Sequence, residues 1–304
     1  MADIVPHVAA RPRPTPVTDG TPGLRAFGGL RWTSLGLRIA TATVGVPLFL
    51  GIAWLGGPLY GLVVVLATVL AAFEARAMLR AAGQKPLTPV LVGLAFFLPF
   101  HAGFLVRRVD GNPTFGADGM VVLAVAVMAS LLLPMLRREF DGVMADWGLS
   151  LAMALYLGGL MQFYLPLRDR PNGDYWVIAT IGLSWLCDSV AFFAGRAWGR
   201  TPLAPVISPK KSVEGALCGI AAVTLWAPCW ALITGQSPLL LAGFGAVIGA
   251  ATVFGDLAES LLKRQTGVKD SGVLMPGHGG LLDRMDSLLF CGPVAVLYLM
   301  AFAS

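Results

Sequence analysis

Apolar residues along this chain form long runs, separated by short segments that carry most of the charge. Each run has about 17 to 25 residues, the length that a helix needs to cross ~30 Å of hydrocarbon. The pattern therefore predicts an all-α, polytopic integral membrane protein with about nine transmembrane helices. The predicted spans are roughly 37–56, 59–76, 88–106, 119–136, 147–167, 175–195, 213–234, 238–258 and 284–303.

The segment before the first span has a different character. Residues 1–36 contain many prolines and several arginines but no apolar core like that of a secretory signal, so we expect a disordered or membrane-surface tail. The remainder divides into a first group of transmembrane helices, 37–174, and a second domain, 175–304, which contains the two polar segments described below.

Composition excludes a soluble protein. Hydrophobic residues make up 56% of the chain and charged residues 13%, with a mean hydropathy of +0.74, whereas soluble domains carry about 25% charge. With nine spans and a cytoplasmic N-terminus, 18 of the 22 Lys and Arg residues fall on the cytoplasmic side, as the positive-inside rule requires. The net charge of +5 is thus a topological signal, and no nucleic-acid partner is implied.

The four cysteines carry no metal or disulfide pattern. They lie in or beside predicted spans and have no Cys-x-x-Cys spacing, so we interpret them as small buried hydrophobic residues. They are Cys187, Cys218, Cys229 and Cys291.

The first polar segment runs from Asp188 at the end of the sixth span to Gly215. Its basic residues Arg196, Lys210 and Lys211 supply charge-assisted hydrogen-bond donors that suit phosphate oxygens. Lys and Arg also flank spans as simple membrane anchors, and local sequence alone does not separate the two interpretations.

The second polar segment begins at the end of the eighth span. Helical spacing places Asp256, Glu259, Ser260 and Lys263 on one face. A carboxylate at the end of an apolar span is costly, so it pairs, binds an ion or lines a wet cavity. An internal pair between Glu259 and Lys263 is the structural alternative for those two residues.

A glycine-rich turn, 277–280, then leads into the last span. Asp283 and Asp286 share a face near the start of that helix and, together with Asp256 and Glu259, predict an oxygen-ligand site for a hard cation such as Mg²⁺. Phosphates would complete the coordination. His278 lies inside this charged turn and is a candidate ligand contact.

The stretch from Ser260 to Asp286 resembles the signature of the phosphatidate cytidylyltransferases, also called CDP-diacylglycerol synthases. That signature runs Ser-x-apolar-Lys-Arg, four residues, Lys-Asp-x-small, two residues, apolar, small or Pro, x, His-Gly-Gly-apolar-x-Asp-Arg-apolar-Asp. The resemblance extends over roughly 185–303 and is only generic before it. Three positions depart from the family pattern, where Tyr, Thr and Trp are common: Phe192, Ser212 and Val213.

This resemblance implies the reaction CTP + phosphatidate → CDP-diacylglycerol + pyrophosphate, in contact with membrane lipids and with Mg²⁺ as cofactor; a second, monovalent cation is left open. Expected catalytic residues are Asp256, Asp283, Lys263, Arg264 and Lys269. Expected substrate-binding residues are Arg196, Ser208, Lys210, Lys211, Ser260, His278, Gly279, Gly280 and Arg284. Expected metal ligands are Asp256, Asp283, Asp286 and Asp188.

High Ala, Gly, Leu and Arg usage and the absence of an organelle transit pattern favour a bacterial inner membrane. Both polar segments then lie on its cytoplasmic side. Small residues in the eighth span are compatible with a homodimer and equally with packing inside the chain. They are Gly243, Gly245, Ala246, Gly249 and Ala250.

Three other functions compete with this interpretation. A transporter or channel also has many spans and intramembrane carboxylates, but it places them near mid-membrane, whereas here the charges collect at span ends and in loops. A CTP-dependent kinase of a lipid alcohol shares the nucleotide and metal requirement but transfers the γ-phosphoryl group. A non-catalytic scaffold leaves a costly buried Asp without a ligand.

Overall fold

The protein is a bundle of long apolar helices. The computed structural model describes residues 34–303, apart from 106–107, 110–111, 114–116, 136–140, 273 and 276–278. The tail 1–36 therefore lies almost entirely outside the described residues. The helices are α1 (Ser34–Leu55), α2 (Gly57–Ala81), α3 (Thr88–Leu105), α4 (Ala117–Met135), α5 (Val143–Arg168), α6 (Gly173–Trp198), α7 (Val213–Thr234), α8 (Pro238–Thr266) and α9 (Leu282–Phe302).

The all-α membrane architecture predicted from the apolar runs is confirmed. Within the described residues, seven helices are long and apolar enough to cross a bilayer: α2, α3 and α5 to α9. The first and fourth predicted spans coincide with shorter apolar helical segments, Gly45–Leu55 and Leu123–Met135. The count of nine spans and the cytoplasmic N-terminus remain predictions.

Two helices contain π-helical turns, whose hydrogen bonds span one residue more than those of an α-helix. The extra residue changes the direction in which the neighbouring side chains point. Helix α3 ends in such a turn at His101–Leu105, and α5 contains another at Leu155–Gly159. After this turn α5 is interrupted and resumes as a short helix, Tyr164–Arg168. Periodicity in the sequence predicted neither turn.

Short strands accompany the helices. Strand β1 (Arg108–Val109) pairs with β2 (Asn112–Pro113), and β3 (Pro202–Ala204) pairs with β4 (Ser208–Ser212), both antiparallel. The second hairpin contains Lys210 and Lys211 of the first polar segment.

The last four helices form the tightest part of the bundle, with α6 on α7, α7 on α8 and α8 on α9. Gly245 and Gly249 let α8 approach α7 closely, because a Cβ at either position would collide with Val223. Gly243 faces the hydroxyl of Tyr298 in α9. These small residues therefore pack within the chain and lend no support to the homodimer, which stays a prediction.

All four cysteines are free thiols, and none forms a disulfide. Cys187 and Cys291 are buried as predicted, whereas Cys218 is half-buried and Cys229 is exposed. Burial was the wrong expectation for Cys229 because it lies on the outer surface of α7, where an apolar residue of a membrane protein need not pack against other protein.

Polar contacts tie the first helices to the last ones. The Tyr164 hydroxyl donates to the carbonyl of Leu288 in α9 at 3.0 Å, and Tyr60 in α2 donates to the carbonyl of Tyr164 at 3.3 Å. Arg168 donates to two carbonyls at the end of α1, those of Ala53 and Trp54, both at 2.7 Å. The main buried cluster contains residues of both predicted domains, so the boundary near 174 is not a gap in the core.

A glycine on α9 provides a test of this packing. A Cβ on Gly292 would lie 2.7 Å from the Tyr164 ring, which its hydrogen bonds hold in place. We expect Gly292→Ala to lower the free energy of unfolding by about 1–3 kcal/mol through overpacking. Gly182→Ala on α6 is the matched control, because a Cβ there meets nothing within 4 Å and Ala favours the helix. Thermal unfolding in detergent measures both, and equal melting temperatures would contradict the packing described here.

Candidate active site

Helix α8 extends further into the second polar segment than the apolar run predicted. It continues to Thr266, about two turns beyond the predicted end of the span at 258, and ends where Gly267 adopts φ 73°. Its last turns hold Lys263 and Arg264, where positive charge complements the helix dipole. The first part of the signature is thus helical.

Lys263 links the two helices that carry the signature. Its Nζ lies 2.8 Å from Asp283 Oδ1 on α9 and 2.6 Å from Glu259 Oε2, one turn back on α8. Only 13% of the lysine side chain is exposed, against 6% for Asp283 and none for Glu259. A buried lysine between two carboxylates keeps its charge, because each charge compensates the desolvation of the others.

Asp283 also holds the loop that precedes its own helix. Its Oδ2 accepts the backbone N–H groups of Ser271 and Gly280, each at 2.9 Å. Gly279, with φ 86°, supplies the left-handed residue that this turn requires. Among the described residues, the hydrogen bonds and the ion pair of the Asp283 side chain are therefore made to Lys263 and to the loop.

A second ion pair brings the first polar segment onto α8. Lys211 on β4 pairs with Asp256 Oδ2, while the Ser260 hydroxyl approaches Asp256 Oδ1 at 3.4 Å. Arg264 Nε donates to the carbonyl of Ile207 at 3.2 Å, just before β4. The two polar segments, 40 or more residues apart in sequence, thus form one site.

Three of the four predicted metal ligands lie together, one each from α6, α8 and α9. Asp188, Asp256 and Asp286 interact electrostatically with one another and with Lys211. Asp188 Oδ2 accepts the Ser287 hydroxyl at 3.3 Å, and Asp286 Oδ1 accepts the Ser287 N–H at 2.6 Å. Asp286 also interacts with Lys263, which already pairs with Glu259 and Asp283, so the carboxylates outnumber the lysines and leave excess negative charge at this point.

The chemistry of these donors fits a hard divalent cation, since carboxylate oxygens are the ligands that Mg²⁺ prefers. The geometry is less complete: within the described ranges, no three Asp, Glu, His or Cys side chains converge closely enough to coordinate one ion. Asp283 is engaged by Lys263 on Oδ1 and by two amides on Oδ2, so Oδ1 keeps acceptor capacity with which it can join Asp256 as a ligand.

Two buried groups beside this cluster lack hydrogen-bond partners in the described part of the chain. The Oε1 oxygen of Glu259 has no hydrogen-bond partner, while its Oε2 pairs with Lys263 at 2.6 Å. The hydroxyl of Tyr156 is also unpartnered, and it interacts electrostatically with Glu259, Asp286 and Asp256. Tyr156 belongs to the π-helical turn of α5, so this turn directs a phenol toward the carboxylates.

The remaining predicted site residues lie at the surface around the cluster. Arg196, Lys210, Lys269 and Arg284 are exposed and form no ion pair with a described residue. Ser208 is half-buried on β4. His278 lies outside the described residues. The exposed cations leave their full charge available to a ligand.

Sequence reasoning missed three residues that the fold brings to the site: Glu74, Ser271 and Tyr156. Glu74 comes from α2, where its carboxylate accepts hydrogen bonds from Ser271, Leu281 and Leu282. The sequence did contain a signal for Glu74: it is a single carboxylate within an apolar span, and such residues are costly and tend to be functional. Neither Ser271 nor Tyr156 stood out by residue type.

Comparison with known proteins supports the resemblance noted in the signature. The model of the cytidylyltransferase family matches residues 36–302. The phosphatidate cytidylyltransferase of Synechocystis is 31% identical over 281 residues, which cover 86% of this chain and 96% of that protein. The enzyme of the same name from Bacillus subtilis is 32% identical over 282 residues, covering 88% of this chain and 98% of the relative.

A third relative, the phosphatidate cytidylyltransferase of Thermotoga maritima, is 37% identical over 150 residues, covering 47% of this chain and 55% of that protein. The family match includes the helices before residue 175, where the sequence had offered only generic apolar spans. The protein belongs to the cytidylyltransferase family.

Proposed function

We propose that this protein is a phosphatidate cytidylyltransferase, which transfers CMP from CTP to phosphatidate to give CDP-diacylglycerol and pyrophosphate. The observation that carries the proposal is similarity along nearly the whole length of relatives that bear this name. The site agrees with it, because Lys211 lies just before α7, Lys263 in the last turn of α8 and Asp283 in the first turn of α9, while Asp188 and Asp256 lie further inside α6 and α8. A water-borne nucleotide and a bilayer lipid meet at that depth.

The protein is a membrane protein, and we propose the bacterial inner membrane as its location, with the site on the cytoplasmic side. The bias of Lys and Arg toward one set of loops supports this orientation. CTP then arrives from the cytosol while the acyl chains of phosphatidate remain in the inner leaflet.

The reaction is a displacement at the α-phosphorus of CTP. An oxygen of the phosphatidate phosphate forms the new P–O bond, and the bond from the α-phosphorus to the bridging oxygen of pyrophosphate breaks. A phosphate monoester has its second pKa near 6, so the attacking oxygen is already deprotonated and no general base is needed. The protein must bring two polyanions together and hold them in line.

The basic residues bring the two polyanionic substrates together. Lys263, fixed between Asp283 and Glu259, supplies a positioned charge at the centre, and Lys211 supplies another beside Asp256. The exposed cations around them, together with Arg264, screen the outer phosphates. We keep Ser208, Ser260, His278, Gly279 and Gly280 as proposed substrate contacts.

Asp188, Asp256 and Asp286 would hold Mg²⁺, with Asp283 as the fourth proposed ligand. When bound, the ion supplies charge neutralisation for the phosphate oxygens and for the departing pyrophosphate. In this scheme Lys211 and the ion compete for Asp256, so the lysine is free to turn toward phosphate once the carboxylate is ligated. Whether a monovalent cation assists is tested by repeating the assay with and without K⁺.

The first test is conversion of labelled CTP by purified protein with phosphatidate and Mg²⁺. We expect chloroform-soluble cytidine that depends on phosphatidate. We expect Asp283→Asn to lower kcat by at least about 100-fold, because it removes the charge that pairs with Lys263 and leaves one acceptor oxygen for three donors, Lys263 and two loop amides. Asp141→Asn, an exposed acid outside both polar segments, is the control.

Near-normal turnover of a folded Asp283→Asn enzyme would overturn the assigned role. If the cytidine label appears in CDP and none of it enters the lipid phase, the result would favour a lipid-alcohol kinase. If the folded wild-type protein leaves CTP intact, the result would favour transport.

The metal assignment makes a separate prediction. Asp256→Asn removes one charge from the group of three carboxylates, so the Mg²⁺ concentration for half-maximal activity should rise by about tenfold or more. Asp141→Asn should leave that concentration unchanged. The measurement is a Mg²⁺ titration of initial rates at saturating substrates, and an unchanged midpoint in Asp256→Asn would remove this residue from the ligand set.

A further inference from the structure

Helix α2 contributes a buried carboxylate to a loop about 200 residues away in sequence. Glu74 is 9% exposed. Its Oε1 accepts the N–H of Leu281 at 3.0 Å, and its Oε2 accepts the N–H of Leu282 at 2.8 Å and the hydroxyl of Ser271 at 3.3 Å. Both oxygens thus accept hydrogen bonds from the segment that connects α8 to α9.

The Glu74 carboxylate supplies hydrogen-bond acceptors for backbone amides at the start of α9. The first amides of a helix have no partner inside it, and the positive end of the helix dipole favours an anion there. The N–H of Gly280 goes to Asp283, and those of Leu281 and Leu282 go to Glu74. Three consecutive amides at the beginning of the helix are therefore bonded to two carboxylates, one local and one from α2.

The loop is shaped to admit this carboxylate. A Cβ on Gly272 would lie 2.5 Å from Glu74 Oε1, and a Cβ on Gly280 would lie 2.7 Å from Oε2. Any other residue at these two positions would push Glu74 away from the amides. Gly280 was predicted as a substrate contact, and the structure adds a steric requirement for glycine at this position.

Ser271 joins Glu74 to the ion pair at the centre of the site. Its hydroxyl donates to Glu74 and accepts the N–H of Asp283 at 3.3 Å, while its own N–H donates to Asp283 Oδ2. Asp283 in turn holds Lys263. A continuous set of hydrogen bonds thus runs from α2 through the loop to the central lysine.

We propose that Glu74 is a positioning residue for the reaction: it holds Ser271, Leu281 and Leu282 against α2 and thereby fixes Asp283 and Lys263 in their reactive arrangement. This role rests on the proposed function for its kinetic consequences. The structural contact itself can be tested without any substrate.

The test compares Glu74→Gln with Asp146→Asn in the full-length protein. A glutamine offers one carbonyl and one NH₂ group, so one of the two backbone amides must lose its acceptor and face a donor. Asp146 is a matched control: it is a buried carboxylate in the first turn of α5 that accepts a backbone N–H, that of Lys85 at 2.8 Å, in the segment between α2 and α3.

We expect amide hydrogen exchange of the substrate-free protein to become faster in peptides covering 271–285 for Glu74→Gln, and to be unchanged there for Asp146→Asn. We expect kcat of Glu74→Gln to fall by about 10- to 100-fold. KM for CTP should change less than kcat, because the Glu74 carboxylate is turned into the protein. Rates are expressed per folded molecule, from thermal unfolding of the same samples.

Ser271→Ala provides a milder variant in case Glu74→Gln folds poorly. It removes the hydroxyl that joins Glu74 to Asp283, so it should lower kcat in the same direction, and the double variant should lose less than the two single losses combined. Unchanged exchange in the loop of Glu74→Gln, or an equal fall of kcat in Asp146→Asn, would overturn the proposal. Loss of loop protection in a protein whose wild type lacks transferase activity would instead refute the proposed function and leave the contact standing.

Discussion

The arrangement of this site depends on one ion pair between neighbouring helices, that of Lys263 on α8 with Asp283 on α9. Both side chains are largely withdrawn from water, and a buried charge is tolerated only with a partner and further hydrogen bonds. Asp283 meets this requirement by collecting two loop amides as well as the lysine. The need to satisfy these two charges therefore fixes the path of the loop between the helices.

The first helices take part in the same arrangement. Glu74 on α2 and Tyr156 on α5 reach the polar cluster, and Tyr164 at the end of α5 bonds to a backbone carbonyl of α9. The sequence had pointed to 175–304 alone as the part that contains the chemistry. Packing shows that the helices before it form one wall of the site, in keeping with a family match that begins at residue 36.

Long apolar runs and the i, i+3, i+4, i+7 spacing of Asp256 to Lys263 were enough to predict the helices and the shared polar face, because both follow from local periodicity. The pairing of Lys211 with Asp256 and the reach of Glu74 into the loop could not be predicted in this way. They depend on which helices become neighbours, and a single sequence holds no direct record of that. The π-helical turns were missed for a related reason, since the extra residue leaves no distinctive pattern in a uniformly apolar segment.

The contact between Glu74 and the start of α9 bears on whether the signature can act as a transferable unit. A segment that contained only the helices from α6 onward would keep every residue of the motif, yet it would leave the amides of Leu281 and Leu282 without their acceptor and a gap beside two glycines. The motif is therefore not portable on its own. Grafting it onto another membrane scaffold would require a carboxylate placed on a neighbouring helix at the height of Glu74.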